Sequence, residues 1–174
     1  ALARDVIELL NARAEAKGLA LAAVLDETAP EEVLADAARL KQILFNLVGN
    51  AVKYTPSGGV RLDIAGDTDS EGRARLVMTV RDTGPGISET DQATLFQQFE
   101  RGAAEREGRE EGAGLGLAMV KRLAEAMQGE VGLESRLGDG AVFWVSLPLA
   151  VRTGPSASRP LSGTTLSVAC PNPV

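Results

Sequence analysis

Histidine is absent from this chain of 174 residues, and cysteine occurs once, at Cys170. The absence of histidine removes the commonest zinc ligand and the commonest general base of proteins, so it excludes zinc-centred and triad chemistry. A single cysteine excludes an internal disulfide.

An excess of positive charge is also missing. The 18 lysines and arginines are outnumbered by 24 aspartates and glutamates, which gives a formal net charge of -6. Proteins that bind nucleic acids hold the phosphate backbone with clustered basic residues, so this balance argues against a nucleic-acid partner. An anionic ligand must therefore be held locally, by a few residues.

Long apolar runs are missing as well. No stretch approaches the ~20 consecutive apolar residues of a membrane span, and the first residues show no signal-peptide pattern. We therefore expect a soluble, cytoplasmic domain that makes no membrane contact itself. Because the chain begins at Ala1 and not at methionine, we expect a fragment of a longer protein, which would be free to carry a membrane anchor.

The chain length and the 44% hydrophobic content fit one ordinary domain followed by a tail. We place the domain at residues 1–149. Residues 150–174 are rich in Pro, Ser, Gly and Thr, which predicts a linker or a disordered tail, although Leu166–Cys170 has the composition of a short strand.

Helix-like and strand-like periodicities divide the domain. Helices are expected at residues 5–17, 36–54 and 114–127, with Asp36 as a cap and a short helical patch around Leu95, Phe96 and Phe99. Strands are expected at residues 19–25, 60–64, 73–80, 130–136 and 141–148, with a short extended piece at 30–34. These elements predict an α+β sandwich with the helices on one face of the sheet.

A polar stripe of three residues, Asn46, Asn50 and Lys53, follows the helix expected at 36–54. Their spacing of four and three positions places them on one face, next to an apolar face. Burying such groups unpaired costs about 1–3 kcal/mol each. A triphosphate with Mg²⁺ would satisfy them, because amide oxygens ligate Mg²⁺ and lysine neutralises phosphate. The alternative is an ordinary exposed polar face.

A glycine-rich turn, Asp82-Thr83-Gly84-Pro85-Gly86, stands where a strand is expected to end. The carboxylate can accept a hydrogen bond from an exocyclic amine such as adenine N6. The glycines let the backbone approach a flat ligand. The alternative is a plain turn, since Asp, Gly and Pro are common turn residues.

A second glycine-rich segment, Gly112-Ala113-Gly114-Leu115-Gly116-Leu117, precedes the helix expected at 114–127. Free N–H groups at a helix start can bind phosphate oxygens. The segment does not fit the dinucleotide fingerprint, because the sixth position counted from Gly112 or Gly114 is Leu117 or Met119. The chain also lacks a P-loop. The charged loop before the segment, residues 101–111, is expected to be mobile.

In this order, the segments resemble the catalytic ATP-binding domain of bacterial sensor histidine kinases, in the wider superfamily of gyrase, Hsp90 and MutL ATPases. The resemblance covers residues 1–149. Residues 36–55 look like the N box, 82–87 like the G1 box, 96–101 like the F box and 112–117 like the G2 box. It implies the Bergerat fold, in which a mixed, mostly antiparallel sheet packs on about three helices, with residues 87–111 as a flexible ATP lid.

The resemblance implies roles for the residues near the phosphates. Asn50 would be the main Mg²⁺ ligand with Asn46 beside it, while Lys53 would contact phosphate and Tyr54 would lie against the nucleotide. Arg101 would approach the terminal phosphate, which suits its planar fork. Asn46, Lys53 and Arg101 are thus the candidate catalytic residues. The alternative for Arg101 is one more charge in a solvated loop.

The resemblance implies further binding roles in the two glycine-rich segments. Asp82 would read adenine N6, and Gly84, Gly86 and Ile87 would shape the adenine pocket. Backbone N–H groups of the second segment would close over the phosphates, from Gly112, Gly114, Leu115, Gly116 and Leu117.

Kinases of this kind phosphorylate a histidine on a helical dimerisation domain, and this chain contains no histidine. The resemblance therefore implies that the chain binds ATP with Mg²⁺ and donates the γ-phosphoryl group to a separate domain, with a response regulator downstream. It would not autophosphorylate alone. We expect a monomer for the isolated domain and a homodimer for the full-length kinase.

Two alternatives stay open. One is a nucleotide-binding regulatory module that does not transfer phosphate. The other, less favoured, is an ATPase of the gyrase, Hsp90 or MutL kind, because those use a catalytic glutamate where this chain has Asn46.

Overall fold

The computed structural model describes residues 2–29, 35–71, 73–93, 95–96 and 116–148. These residues form four helices and five strands. In chain order they are α1 (Leu2–Ala16), β1 (Ala20–Leu25), α2 (Ala37–Tyr54), β2 (Gly59–Thr68), β3 (Ala74–Asp82), α3 (Glu89–Gln92), α4 (Gly116–Ala126), β4 (Glu130–Ser135) and β5 (Ala141–Pro148). The extended piece expected at 30–34 and the tail expected at 150–174 lie outside the described residues.

The five strands form one mixed sheet in the order β1-β2-β3-β5-β4. The pair β1 and β2 is parallel, and α2 connects these two strands. The other three pairs are antiparallel. Parallel neighbours need a crossover of this kind, whereas antiparallel neighbours can be joined by hairpins. The mixed, mostly antiparallel sheet that the family resemblance implied is confirmed.

The core lies between the sheet and the three long helices α1, α2 and α4. Every second residue of β3 is buried, namely Leu76, Met78 and Val80, and β5 follows the same alternation. On α2, Ile43, Leu44, Leu47 and Val48 are almost completely buried. The apolar face of α2 therefore packs into the core, which leaves its polar stripe at the edge.

A short helix, α3, precedes the helical patch expected around Leu95, Phe96 and Phe99, part of which lies outside the described residues. It begins at Glu89, after Ser88, whose hydroxyl accepts a hydrogen bond from Asp91 N at 3.2 Å. The hydroxyl cap fixes the start of α3. Leu95 and Phe96 lie in a turn after it, and Phe96 packs edge-on against Phe143 of β5, with ring centroids 6.4 Å apart. Phe99 lies outside the described residues.

The strands match their predicted positions, but β2 is longer than expected. Residues Ala65–Thr68 continue the antiparallel pairing with Ala74–Val77, even though a glycine and an aspartate interrupt the apolar alternation. Backbone hydrogen bonds extend the hairpin beyond the reach of its apolar pattern. In the part of the chain that the structure describes, no helix is long and apolar enough to cross a membrane.

Candidate functional site

The polar stripe predicted on α2 is present at the edge of the core. Asp36 caps this helix, as predicted, and its side chain accepts hydrogen bonds from Ala38 N and Arg39 N at 3.0 and 3.1 Å. Asn46, Asn50 and Lys53 are all half-buried. The stripe is therefore neither a solvated face nor part of the core.

The start of α4 lies directly against this stripe. A Cβ atom added to Gly116 would lie 3.2 Å from Asn46 Oδ1 and 3.6 Å from Asn50 Nδ2. The Asn46 amide is held on its other side, because Nδ2 donates to Gln42 O at 2.9 Å. Glycine at position 116 thus lets a helix start approach two amide side chains that come from a distant part of the sequence.

The end of α2 carries Lys53 and Tyr54. Lys53 Nζ donates a hydrogen bond to the Tyr54 hydroxyl at 2.8 Å and lies 4.5 Å from the centre of its ring. The contact combines a hydrogen bond with a cation–π interaction. Lys17, just after α1, donates to Val52 O at 3.0 Å and also to Lys53 O. Because the last carbonyls of a helix lack partners within it, Lys17 anchors this end of α2.

The glycine-rich turn follows β3 as predicted. Asp82 is half-buried, and its Oδ1 accepts a hydrogen bond from Gly84 N at 2.8 Å. Burial raises the pKa of Asp82 above its ordinary value, while hydrogen bonds from the backbone N–H groups of Gly84 and Ala141 oppose that shift. The turn therefore presents a carboxyl group whose ionisation depends on its surroundings.

Gly86 requires glycine for two reasons. Its φ of 73° lies in the left-handed region, which side chains disfavour. An added Cβ would also overlap the carbonyl oxygen of Arg136 in the turn between β4 and β5. The same turn contributes a hydrogen bond from Gly138 N to Pro85 O at 2.8 Å. The two turns are thus joined through their backbones.

A serine at the end of β4, which no sequence pattern singled out, also holds this region in place. Ser135 Oγ accepts from Ile87 N at 2.9 Å and donates to Gly140 O at 2.6 Å. Gln92 Nε2 donates to Ile87 O at 2.7 Å and to Ser135 O at 3.0 Å. A serine or glutamine beside a turn is common, so only the contacts across the chain identify these residues as supports of the glycine-rich turn.

Thr55 was predicted only as the last residue of the N box, with no role of its own, but it lies between the polar stripe and the turn. Its side chain is completely buried. Its Oγ1 and the backbone oxygen of Tyr54 each lie 3.5 Å from the position that a Cβ on Gly84 would occupy, and Asp82 Oδ1 lies 2.8 Å from that position. The end of α2 and the glycine-rich turn therefore form one continuous surface.

The structure brings most of the predicted site residues together along α2. Gly116 lies against Asn46 and Asn50, and the turn at Asp82 meets the residues that follow Lys53. Leu117 and Ile87 pack partly buried against the core. Four predicted site residues lie outside the described residues, namely Arg101, Gly112, Gly114 and Leu115, as does most of the lid expected at 87–111.

This arrangement suits a ligand that is anionic at one end and carries a hydrogen-bond donor at the other. At one end, amide side chains meet the start of a helix, where free N–H groups favour anions. At the other end, a carboxyl group offers a polar acceptor beside a glycine-rich backbone. Lys53 lies between them and supplies positive charge.

Comparison with known proteins gives a consistent match. The family model described as histidine kinase-, DNA gyrase B-, and HSP90-like ATPase matches residues 35–151. The sensor protein GacS of Pseudomonas syringae pv. syringae is 39% identical over 148 residues, which are 85% of this chain and 16% of GacS. The signal transduction histidine-protein kinase BarA of Escherichia coli (strain K12) is 35% identical over 173 residues, which are 97% of this chain and 19% of BarA.

The structural comparison agrees. Full-length ShkA, crystallised in complex with AMPPNP, superposes with a TM-score of 0.75 at 42% identity, and the match covers 89% of this chain and 31% of ShkA. The chain thus spans less than a fifth of the length of GacS and BarA and about a third of the solved ShkA chain.

Proposed function

This chain belongs to the family of histidine kinase-, DNA gyrase B- and HSP90-like ATPases, as a histidine kinase catalytic domain, and on that premise we propose that it binds ATP with Mg²⁺ and donates the γ-phosphoryl group to a histidine on a separate helical domain. The observation that carries the proposal is the approach of Gly116 to Asn46 and Asn50. This approach brings residues of the N box and the G2 box together. ShkA, which this chain resembles, was crystallised with the ATP analogue AMPPNP.

The base end of the proposed site is the glycine-rich turn. The Asp82 carboxylate would accept a hydrogen bond from adenine N6. Gly84, Gly86 and Ile87 would form the wall against which the base lies, and Tyr54 would contact the nucleotide. Ser135 supports this assignment, because its hydrogen bond from Ile87 N fixes the backbone of the wall.

The phosphate end of the proposed site is the middle of α2 with the start of α4. The donor set fits Mg²⁺, because Asn50 and Asn46 offer amide oxygens, which hard cations accept as ligands. When bound, Mg²⁺ neutralises charge that develops on the phosphates. Lys53 would contact phosphate. The backbone N–H groups of residues 112–117 and the guanidinium of Arg101 would complete the site.

Phosphoryl transfer needs little from the protein beyond positioning and charge neutralisation. The imidazole nitrogen of the acceptor histidine attacks the γ-phosphorus, and the bond to the β,γ-bridging oxygen breaks, which leaves ADP. This chain would hold and orient ATP, while the acceptor comes from elsewhere because no histidine is present. An amide cannot abstract a proton from water, so Asn46 argues against hydrolysis of the gyrase kind.

The proposal extends to the setting of the domain. Residues 1–149 would form the catalytic domain and residues 150–174 a linker or tail. The full-length protein would be a homodimeric kinase whose helical dimerisation domain carries the acceptor histidine, with a response regulator downstream. The catalytic domain itself would be a cytoplasmic monomer.

Two measurements on the purified chain test the proposal. Calorimetry should show ATP binding that Mg²⁺ strengthens. Incubation with radiolabelled ATP and a supplied helical domain should then place acid-labile label on that domain, and a matched acceptor domain with its histidine replaced by glutamine should stay unlabelled. Tight ATP binding without label on any acceptor would refute the kinase activity, and absence of ATP binding would refute the whole proposal.

A further inference from the structure

The side-chain hydroxyl of Thr55, at the end of α2, is in an unusual environment. Among the residues that the structure describes, its Oγ1 is the buried side-chain polar atom without a hydrogen-bond partner. The side chain has no exposed surface. A buried hydroxyl without a partner lowers stability, so each such group in a folded protein calls for an explanation.

A role in ending the helix does not explain the hydroxyl. Thr55 ends α2 through its backbone, whose N–H donates to Ala51 O at 3.0 Å, and its φ of -87° and ψ of 116° are ordinary extended values. Packing does not explain it either, because valine has the same branched shape and carries no polar atom. The hydroxyl is therefore the part of this side chain that needs a reason.

The surroundings of Thr55 indicate a partner. Thr55 Oγ1 approaches Gly84 from α2, and Asp82 Oδ1 approaches the same side of Gly84 from β3. The two oxygens lie 3.5 and 2.8 Å from one point, the position of an added Cβ on Gly84. One oxygen belongs to a donor and the other to an acceptor, and both lie beside the space above Gly84.

We propose that Thr55 is a positioning residue for Asp82, which donates a hydrogen bond to the carboxylate when a purine base docks on the glycine-rich turn. A small displacement of Gly84 by the base would bring the two side chains together. The bond would be charge-assisted and would aim the carboxylate at the exocyclic amine of the base. The inference rests on the proposed nucleotide binding and adds a residue that controls base recognition.

This role predicts opposite effects on stability and affinity. Without ligand, the unpaired hydroxyl destabilises the fold, so its removal should leave the melting temperature unchanged or higher. With ligand, its removal should weaken ATP binding about tenfold, which is the loss expected for one hydrogen bond to a charged group. A residue that served only packing would change both quantities in the same direction.

The test uses the full chain with Thr55→Val and Thr55→Ser. We expect Thr55→Val to melt at or above the wild-type temperature and to bind ATP about tenfold more weakly. Thr55→Ser, which keeps the hydroxyl, should restore most of the affinity. The preference for ATP over GTP should fall in Thr55→Val, because the lost interaction supports recognition of the amine.

The outcomes separate this inference from the proposed function. If the wild type binds ATP and Thr55→Val binds it equally well, the positioning role is refuted while nucleotide binding stands. If Thr55→Val loses both stability and affinity and Thr55→Ser does not restore the affinity, the residue is structural and the inference is again refuted. If the wild type binds no ATP, the proposed function itself fails.

Discussion

Replacing Gly116 by alanine tests whether the start of α4 and the polar stripe of α2 act as one binding surface. Alanine is favoured over glycine in a helix interior by about 0.8–1.0 kcal/mol, and at the first residue of α4 the gain is at most that large. The new Cβ, however, would lie 3.2 Å from Asn46 Oδ1, which is too close without movement of the amide. The substitution therefore brings a gain in helix propensity and a steric cost at the proposed metal site.

The steric cost follows from the way Asn46 is held. Its amide is planar, so Oδ1 cannot withdraw without moving Nδ2, which donates to Gln42 O at 2.9 Å. Disturbing that bond costs about 0.5–1.5 kcal/mol. The two contributions nearly cancel, so we expect the free energy of unfolding of Gly116→Ala to stay within about 1 kcal/mol of the wild type.

Gly49→Ala is the matched control. Gly49 lies within α2, and a Cβ added there would have nothing within 4 Å. It gains helix propensity without a clash, so its melting temperature should rise by about 2–4 °C for roughly 1 kcal/mol. Its affinity for ATP should not change.

Calorimetry with and without Mg²⁺ gives the decisive measurement. In Gly116→Ala, displacement of the Asn46 amide should lower the Mg²⁺-dependent affinity for ATP about tenfold, or roughly 1.4 kcal/mol. Circular dichroism melting would establish that both variants fold. Wild-type affinity in Gly116→Ala, or an equal loss in Gly49→Ala, would refute the idea that the two helices share one phosphate site.

Three further substitutions test the other parts of the site. Asp82→Asn should weaken ATP binding in calorimetry yet raise the melting temperature at pH 7. Burial raises the pKa of Asp82, so the stability that its carboxyl contributes at low pH is lost as the pH rises through that pKa. A melting-temperature gain of the variant over the wild type that grows on acidification would contradict this. Asn50→Ala should abolish the Mg²⁺ enhancement of binding, and full enhancement would rule out its role as ligand. Gly86→Ala should lower the free energy of unfolding, measured in urea, by about 1–3 kcal/mol more than the control Gly18→Ala does. Both glycines have similar positive φ values, but only a Cβ on Gly86 would meet the Arg136 carbonyl. Equal losses of stability in the two variants would contradict the clash.

Much of the fold could be predicted from the sequence because its signals are local. Asp36 predicted the start of α2, and the apolar alternation predicted Ala141–Pro148 to the residue. The pairing of strands is a different matter, because periodicity does not specify neighbours. The parallel pairing of β1 with β2 depends on the path of α2 across the sheet, and the sheet's mixed character came from the family resemblance.

The candidate site was also predictable from the sequence only in part. Helical spacing predicted the stripe of Asn46, Asn50 and Lys53, because residues three and four apart share a helix face. The roles of these residues in binding stay predictions. Thr55 could not be identified beforehand, because a threonine after a helix is unremarkable in sequence. Its significance lies in a missing hydrogen-bond partner, which is a property of the folded surroundings.

Helix α2 sets the distance between the two ends of the proposed site. From Asn46, which meets the start of α4, to Thr55, which meets the glycine-rich turn, the helix rises about 13 Å at 1.5 Å per residue. That length suits the span from a purine base to the outer phosphates of a nucleoside triphosphate. Because α2 is one continuous helix, a shift of α2 would move both ends together. In the proposed site, base recognition and phosphate binding would thus be coupled through one rigid element.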